Sequence, residues 1–588
     1  MNDFRFSPRA NRAAEIGWMP WGQDAFSRAA AEDKPILLSI SAVWCHWCHV
    51  MDETSYSDPG VIEAINRRFV PVRVDNDRRP DINARYNMGG WPTTAFLAPD
   101  GTTLTGATYL PPEQMRNVLE QIASFYAEHK SDIAARTVEP QARPAPAHAA
   151  SEDLDEAPIL ALLDDLRQTY DPEFGGFGDT PKFPQPEVAE FLLAEWRRGG
   201  DPELYAMVAK TMLAMARGGM YDHVEGGFFR YSTTRDWSVP HFEKMAEDHA
   251  GLLRVLAGLV MFAPDDEFRA TLVSAIGYVR PVLRDPATGF FAGSQDADES
   301  YFALPLDERR ARAAPFVDRT SYTNWTCALA GAECLVAQAL DDDVMLAEAL
   351  QTLDNVHERL LGSDGLLFHV LQPGGEPEVR GLLTDQVAYA RALLDAHEIS
   401  GETRFLERAR ALCDVAIARF ASVGAAFYDR IPSEDAFGRL AIADRPIVDN
   451  GLFADVLLRL AALLDQPKYR EPAQAVLRSY RRTSERAGPF AATYARALRR
   501  YLSPEVTVRI VGEPAATGEF RETAARLPAP FAVVRTLLPR DAAELSLPPQ
   551  SQPAAYVCSA QTCGAPVCAP ADLRAAYDAL IMPHQVRT

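Results

Sequence analysis

Cys45-His46-Trp47-Cys48-His49 sets two thiols three residues apart, each followed by a histidine. A pair at this spacing in a chain with no disulfide-rich composition suits thiol redox chemistry or metal binding better than a structural cross-link. His46 lies where an imidazole could favour a Cys45 thiolate, and His49, four residues after Cys45, could share its helical face. Cys45, Cys48 and His49 could alternatively ligate a metal, with Asp75 or Asp77 completing the set. A third reading keeps the motif as structure alone. The reading taken forward is redox, with no cofactor and no resident metal.

A second chemical group lies in Tyr221–His249, YDHVEGGFFRYSTTRDWSVPHFEKMAEDH, and in Gly293–Glu299, GSQDADE. Asp222, Glu243, Asp296 and Asp298 are the carboxylates that sugar hydrolysis would require as proton donor and base or nucleophile. Trp237, Phe228 and Tyr231 would be stacking surfaces. Proton abstraction would instead use His223 and His241. Arg230 and Asp385 complete this candidate site, with Asp449 and Asn450 at the start of a later helix. The competing reading is a network that locks loops, with Asp222 capping a turn and Arg230 pairing with Asp296. Near the end, Cys558, Cys563 and Cys568 could supply three zinc ligands, hold a disulfide or pack as small residues.

These residues need elements to position them. Pro35–Ile40 reads as a buried strand leading directly into the cysteine motif. Phe69–Val74 is a second strand, Trp91–Leu97 a proline-led third, 102–106 an edge strand and 112–129 a helix. Residues 134–152, rich in Ala and Pro, read as a linker. Beyond it come twelve amphipathic helices in six pairs: 155–169 with 186–198, 201–218 with 243–261, 265–284 with 323–339, 342–361 with 384–397, 401–420 with 449–464, and 466–482 with 487–501. After the first helix of successive pairs a turn-plus-aromatic pattern recurs: YDPEFGGF at 170–177, YDHVEGGF at 221–228, DPATGFF at 285–291, DGLLF at 364–368 and VGAAFYD at 423–429. Glycine supplies the reversal and the aromatic packs the loop back. Six pairs with long internal loops favour an (α/α)6 toroid. The last 85 residues form a smaller α/β segment.

The chain has 588 residues, 47% hydrophobic and 24% charged, with a formal charge of −22. Several domains are expected at this length. The negative charge argues against a broad nucleic-acid surface, and no apolar run approaches the ~20 residues that cross a bilayer. The opening MNDFRFSPRA lacks a secretory apolar stretch, giving a cytoplasmic expectation.

The order of strand, Cys-x-x-Cys, strand, proline-led strand, hairpin and helix resembles a thioredoxin-like domain. That resemblance implies Cys45 at a helix N-terminus as the attacking thiol, Cys48 as the resolving thiol, and a cis-proline at Pro92 facing them. CHWCHVM at 45–51, VDNDRRPDI at 74–82, GGWPT at 89–93, PKFPQP at 181–186, YDHVEGGFFRYS at 221–232 and VPHFEKM at 239–245 together resemble the DUF255 family, which includes the spermatogenesis-associated protein 20 group. The family resemblance implies a thioredoxin-like domain fused to a six-hairpin-glycosidase-like barrel. The chain departs from it at Ala246-Glu247-Asp248, where the family commonly has Leu-Tyr-Asp, and at Gln295, where it has a carboxylate. The expected fold class is therefore multidomain α/β plus all-α, with residues 1–133 thioredoxin-like, 153–502 toroidal and 503–588 a small α/β segment. Expected partners are a protein thiol or disulfide, or a sugar-like small molecule. Oligomeric state is left open.

Overall fold

A computed structural model describes residues 4–135, 153–422, 426–545, 547–559 and 562–585. Most of the expected linker, 134–152, lies outside the described residues. The chain divides into two compact units: Met1–Pro144 with Gln295–Glu299 and Asp429–Asp444, and Ala145–Ser294 with Ser300–Tyr428 and Arg445–Thr588.

The first unit has strands β1 (Ile36–Ser41), β2 (Val70–Asp75), β3 (Thr93–Leu97) and β4 (Thr103–Ala107), in the order β2-β1-β3-β4. β1 runs parallel to β2, with Leu38 opposite Val72, and antiparallel to β3, with Ile40 opposite Thr93. β1 is buried throughout because both sheet faces are covered, which is why consecutive positions Ile36, Leu37 and Leu38 are all apolar rather than alternating with polar residues. Ile36, Leu38 and Ile40 pack with Phe26 and Tyr86 on one face, while Leu37 and Phe96 meet Met51, Ile65 and Leu119 on the other. The helix following the cysteine motif, α1, spans His46–Glu53. Below it, Arg73 donates to both oxygens of Asp52, at 2.8 and 3.0 Å, and both side chains are buried.

The late segment Asp429–Asp444 belongs to this unit through specific contacts. Trp21 Nε1 donates to Asp435 O at 3.0 Å, Arg85 pairs with Asp429 at 2.7 Å, and Phe437 stacks on Phe26. Gly101, at φ +86°, lies so close to Gly438 that a Cβ on Gly101 would sit 2.4 Å from the Gly438 Cα.

In the second unit, the helices Pro186–Gly199, Ala246–Phe262, Thr323–Leu340, Leu383–Ser400, Ile447–Leu464 and Ala492–Leu502 pack successively and close back on the first. The alternate helices pack outside this ring. This is the expected (α/α)6 toroid. The recurrent loops close through bridges Tyr170 to Phe177, Tyr221 to Phe228, Arg284 to Phe291, Leu361 to Leu367 and Ala421 to Phe427. Residues 423–425 of the last loop lie outside the described residues. The helix expected from 243 begins only at Ala246, because Pro240–His241 and Lys244–Met245 are extended. Glu243 and Lys244 consequently have separate partners, Glu243 facing His241 and Lys244 reaching Asp222.

The C-terminal sheet centres on Val506–Val511, parallel to Val533–Leu537 and antiparallel to Ala554–Ser559. Cys558 and Cys563 form a disulfide, leaving Cys568 exposed and free. Both the three-cysteine zinc reading and the small-residue packing reading therefore give way to the disulfide, since Cys558 and Cys563 bond each other.

Candidate functional site

Cys45 is the N-cap of α1, and the Cys48 N–H donates to its Sγ at 3.1 Å. Free amides and the positive end of the helix dipole favour negative charge on that sulfur. The two cysteines form a disulfide with Cα atoms 5.2 Å apart. They are 4% and 2% exposed. The Trp91–Pro92 bond is cis. Its turn is fixed by Thr93, whose Oγ1 donates to Gly90 O and accepts from Met88 N, and by Asn87, whose Oδ1 accepts from the Gly89 and Gly90 amides. Trp91 meets Trp44 edge to face, and Trp44 Nε1 donates to Asp77 at 2.6 Å.

The two histidines are placed differently. His46 is half-buried and sets its ring against Trp47, which is exposed. His49 Nδ1 lies 3.9 Å from Asp296 Oδ2, and Arg5 approaches the same oxygen at 4.0 Å. Burial lowers the His49 pKa, favouring the neutral ring. Asp296 and Asp298 thus fall within the first unit, where Asp296 faces the helix that carries the cysteines. The alternative metal ligands have other partners. Asp77 receives the Trp44 indole, while Asp75 Oδ1 caps the Asp77 and Arg78 amides. Among the described residues no cluster of three or more His, Cys, Asp or Glu is arranged to hold a metal ion.

In the second unit Asp222 is a lock. Its Oδ1 accepts from the Val224 amide, while Oδ2 accepts Lys244 Nζ at 2.8 Å and Arg309 Nη1 at 2.7 Å. Burial opposes its charge, but Lys244 and Arg309 prevail and hold its pKa below the ordinary value. Burial brings Lys244 down to about 8. The first hairpin repeats the device: Asp171 Oδ1 accepts the Glu173 and Phe174 amides, while Oδ2 accepts Lys182 and Arg235 at 2.7 and 2.8 Å. Each lysine also donates to a loop carbonyl, Lys182 to Gly175 O and Lys244 to Gly226 O, both at 2.8 Å.

The remaining predicted residues disperse. Glu243 is buried 3.1 Å from His241 Nδ1, and the Arg230 amide donates to its backbone carbonyl. His223 is exposed and bonded to Gly218 O. Asp385 is buried, 2.8 Å from His369 Nδ1, and burial raises its pKa. Asn450 clamps the backbone of Phe427, donating to its carbonyl and accepting from its amide. Trp237 and Phe228 are wholly buried, which removes them as stacking platforms: Trp237 Nε1 donates to Phe174 O, and its ring faces Lys182. Tyr231 remains partly accessible, stacked on His241 and Phe183.

Glu187 is absent from the candidate site read from the sequence, and Glu247 and Asp248 enter it only as departures from the family pattern. Burial pushes Asp248 up to about 8; Arg230 opposes this while Glu247, Glu187 and Glu243 reinforce it. Glu187 rises to about 7, through burial first and then through Glu190 and Glu247, while its own backbone amide and Arg391 oppose the shift. Their signal lay in the Glu247–Asp248 departure and in Glu187 opening an inner helix.

Fold and site together define a thioredoxin-like domain with a Cys-x-x-Cys centre, joined in one chain to an (α/α)6 toroid. Residues 8–142 match the family described as Thioredox_DsbH, protein of unknown function, DUF255. It is 35% identical over 312 residues to spermatogenesis-associated protein 20 of Rattus norvegicus, a match covering 48% of this chain and 39% of that protein. The chain thus spans about two fifths of the length of that curated relative. Over 83 residues, 14% of each chain, it is 31% identical to the thiol:disulfide interchange protein DsbD of Pseudomonas fluorescens. The structure of cellobiose 2-epimerase from Spirochaeta thermophila overlaps 62% of this chain and 86% of its own, with TM-score 0.45 and 14% identity. Among the described residues no helix is long and apolar enough to cross a membrane.

Proposed function

We propose that the chain is a thiol-disulfide oxidoreductase whose working centre is Cys45 and Cys48. The observation that carries this reading is Cys45 at the cap of α1, its sulfur accepting the Cys48 amide, in a domain that also holds cis-Pro92. In the reduced form, the Cys45 thiolate attacks one sulfur of a substrate disulfide, and the other sulfur leaves as a thiolate and takes a proton. Cys48, deprotonated, then attacks Cys45 Sγ. The second substrate sulfur leaves, the enzyme ends as the disulfide, and the substrate has gained two electrons. An external dithiol returns the centre to its reduced form. Because Cys45 is nearly covered, the substrate sulfur sits on a slender or extended segment. Sequence likeness to a protein named for thiol-disulfide interchange supports the reading. The test is the Cys45/Cys48 redox potential together with mixed-disulfide turnover by wild type and Cys45→Ser. Turnover lost in the variant supports the proposal; turnover that is absent from wild type, or unchanged in Cys45→Ser, overturns it.

A second reading, acid-base chemistry on a sugar-like molecule in the toroid, rests on Glu187, Glu247 and Asp248 standing in the first turns of two adjacent inner helices, with burial and neighbouring carboxylates raising Glu187 to about 7 and Asp248 to about 8. Product mass spectrometry on a sugar panel decides it: conversion abolished by Asp248→Asn supports it, and no conversion by wild type refutes it.

A further inference from the structure

We propose that the toroid binds a phosphate group, free or as a small monoester, in a cavity lined by arginines from its inner helices. This site is independent of the cysteine centre. The cavity measures about 230 Å³ and receives side chains from all six helices of the inner ring, with Ala524 to Val534 of the C-terminal segment along its wall.

Charge is the notable property of this space. Arg197, Arg254, Arg459, Arg496 and Arg500 line it, with carboxylates from Glu190, Asp395 and Glu398. Two further charged groups lie immediately behind: Arg391 pairs with Glu190, and Asp455 pairs with Arg500 at 2.6 Å. Six guanidinium groups therefore meet four carboxylates, leaving two positive charges over within this group. The chain as a whole has the opposite character, at −22.

The pairs show which donors are already used. Asp395 receives Arg254 Nη1 at 2.7 Å and Arg459 Nη2 at 2.9 Å, and Arg459 also reaches Glu398 at 2.7 Å. Glu190 is shared by Arg391 and by Arg496 at 3.2 Å. Arg254, whose side chain is 9% exposed, stands 3.5 Å from Glu190 through Nε, and that nitrogen makes no hydrogen bond among the described residues. Arg197 has no carboxylate partner within ion-pair distance among the described residues. It donates to Leu527 O at 3.0 Å and lies against the Phe262 ring. Burial, reinforced by Arg496, lowers Arg197 to about 10, which leaves it charged at neutral pH.

Buried charge in excess of its partners is costly unless something neutralises it. A phosphate monoester carries roughly −1.5 to −2 at neutral pH and presents several strong acceptor oxygens, matching both the surplus and the forked donors. The apolar part of the wall, including Leu193, Met261 and Leu335, would accommodate a small ester body.

Calorimetry on the full chain would titrate inorganic phosphate, glycerol 3-phosphate and succinate at ionic strength matched with potassium chloride. The expected result is one saturable phosphate site, weakened at least tenfold in Arg254→Gln and in Arg197→Gln. Arg67→Gln, at an exposed position, should bind as wild type does. Tighter binding of glycerol 3-phosphate assigns an ester as the ligand, whereas equal or weaker binding assigns the free ion. If Arg254→Gln fails to fold, Arg197→Gln decides alone. Absence of saturable phosphate binding overturns the proposal, as does binding unchanged in the folded variants or succinate binding without phosphate.

Discussion

Replacing Lys244 with methionine should loosen the second hairpin without touching any reacting group, and the size of the effect follows from the contacts. Lys244 is wholly buried and donates to Asp222 Oδ2 and Gly226 O, with the rings of Tyr278 and Phe302 at 4.2 and 4.9 Å. Methionine fills similar space and suits the aromatic box, so the cavity penalty is small. Removing one partner of a buried pair costs about 3–5 kcal/mol. Asp222 keeps Arg309 and the Val224 amide, which places the expected loss near the lower bound, about 3 kcal/mol. The Gly226 amide, which donates to Asp222 O, and the Asp222 amide, which donates to Gly227 O, report this locally. Their hydrogen exchange, measured by mass spectrometry in the regime where opening is in equilibrium, should accelerate about 150-fold, since each 1.4 kcal/mol is about tenfold. Asp222→Asn combined with Lys244→Met should cost less than the two single losses added, because the uncompensated carboxylate is gone. An acceleration below about tenfold, or simple additivity, would refute the lock.

Three other outcomes follow from the same physics. Gly227→Ala should destabilise the toroid by about 2 kcal/mol or more, since φ is +85° there and the new Cβ would stand 2.5 Å from the Tyr278 ring; a urea midpoint equal to wild type would contradict this. His249 donates through Nδ1 to Met245 O and accepts the Phe228 amide on Nε2, and burial lowers its pKa to about 4. Below its ordinary value near 6.5 the unfolded chain therefore binds a proton that the native ring refuses, so stability falls as pH drops from about 6.5 to 4, by up to about 3 kcal/mol. Urea denaturation across that window should show a shallower pH slope in His249→Gln, and equal slopes would exclude the assignment. Gly101→Ala should detach the 429–444 segment from the first unit, seen as faster amide exchange at Leu440; unchanged exchange there would mean that the Gly101–Gly438 approach does not hold the segment.

Much of this molecule was legible along the chain because the responsible interactions are local. The cysteine motif follows a strand flanked by recognisable turns, and capping depends only on residues 45–48. The Asp-x-x-x-Gly-Gly-Phe loops close on themselves through an aspartate and its own downstream amides. They therefore recur at 171–177 and 222–228 with the same bonds. The extended course of 240–245 was less visible. His-Phe-Glu-Lys-Met has the composition of a helix start, but Pro240–His241 pairs with Tyr231–Ser232 and Lys244–Met245 joins a second small sheet, so the approach to Ala246 stays extended.

By itself, then, the sequence determined a Cys-x-x-Cys pair, its strand and proline neighbours, and six helical hairpins, since short-range periodicity and turn chemistry specify each one. Only the tertiary structure decided where long-range charges meet. Asp296 reads as one more acid of a barrel loop until folding brings it to His49 and Arg5. Arg254, Arg459 and Arg496 look like ordinary surface charges on amphipathic helices until ring closure turns them inward to one cavity. No local pattern marks such residues, because burial and electrostatic pairing depend on helices hundreds of residues apart arriving in the same place.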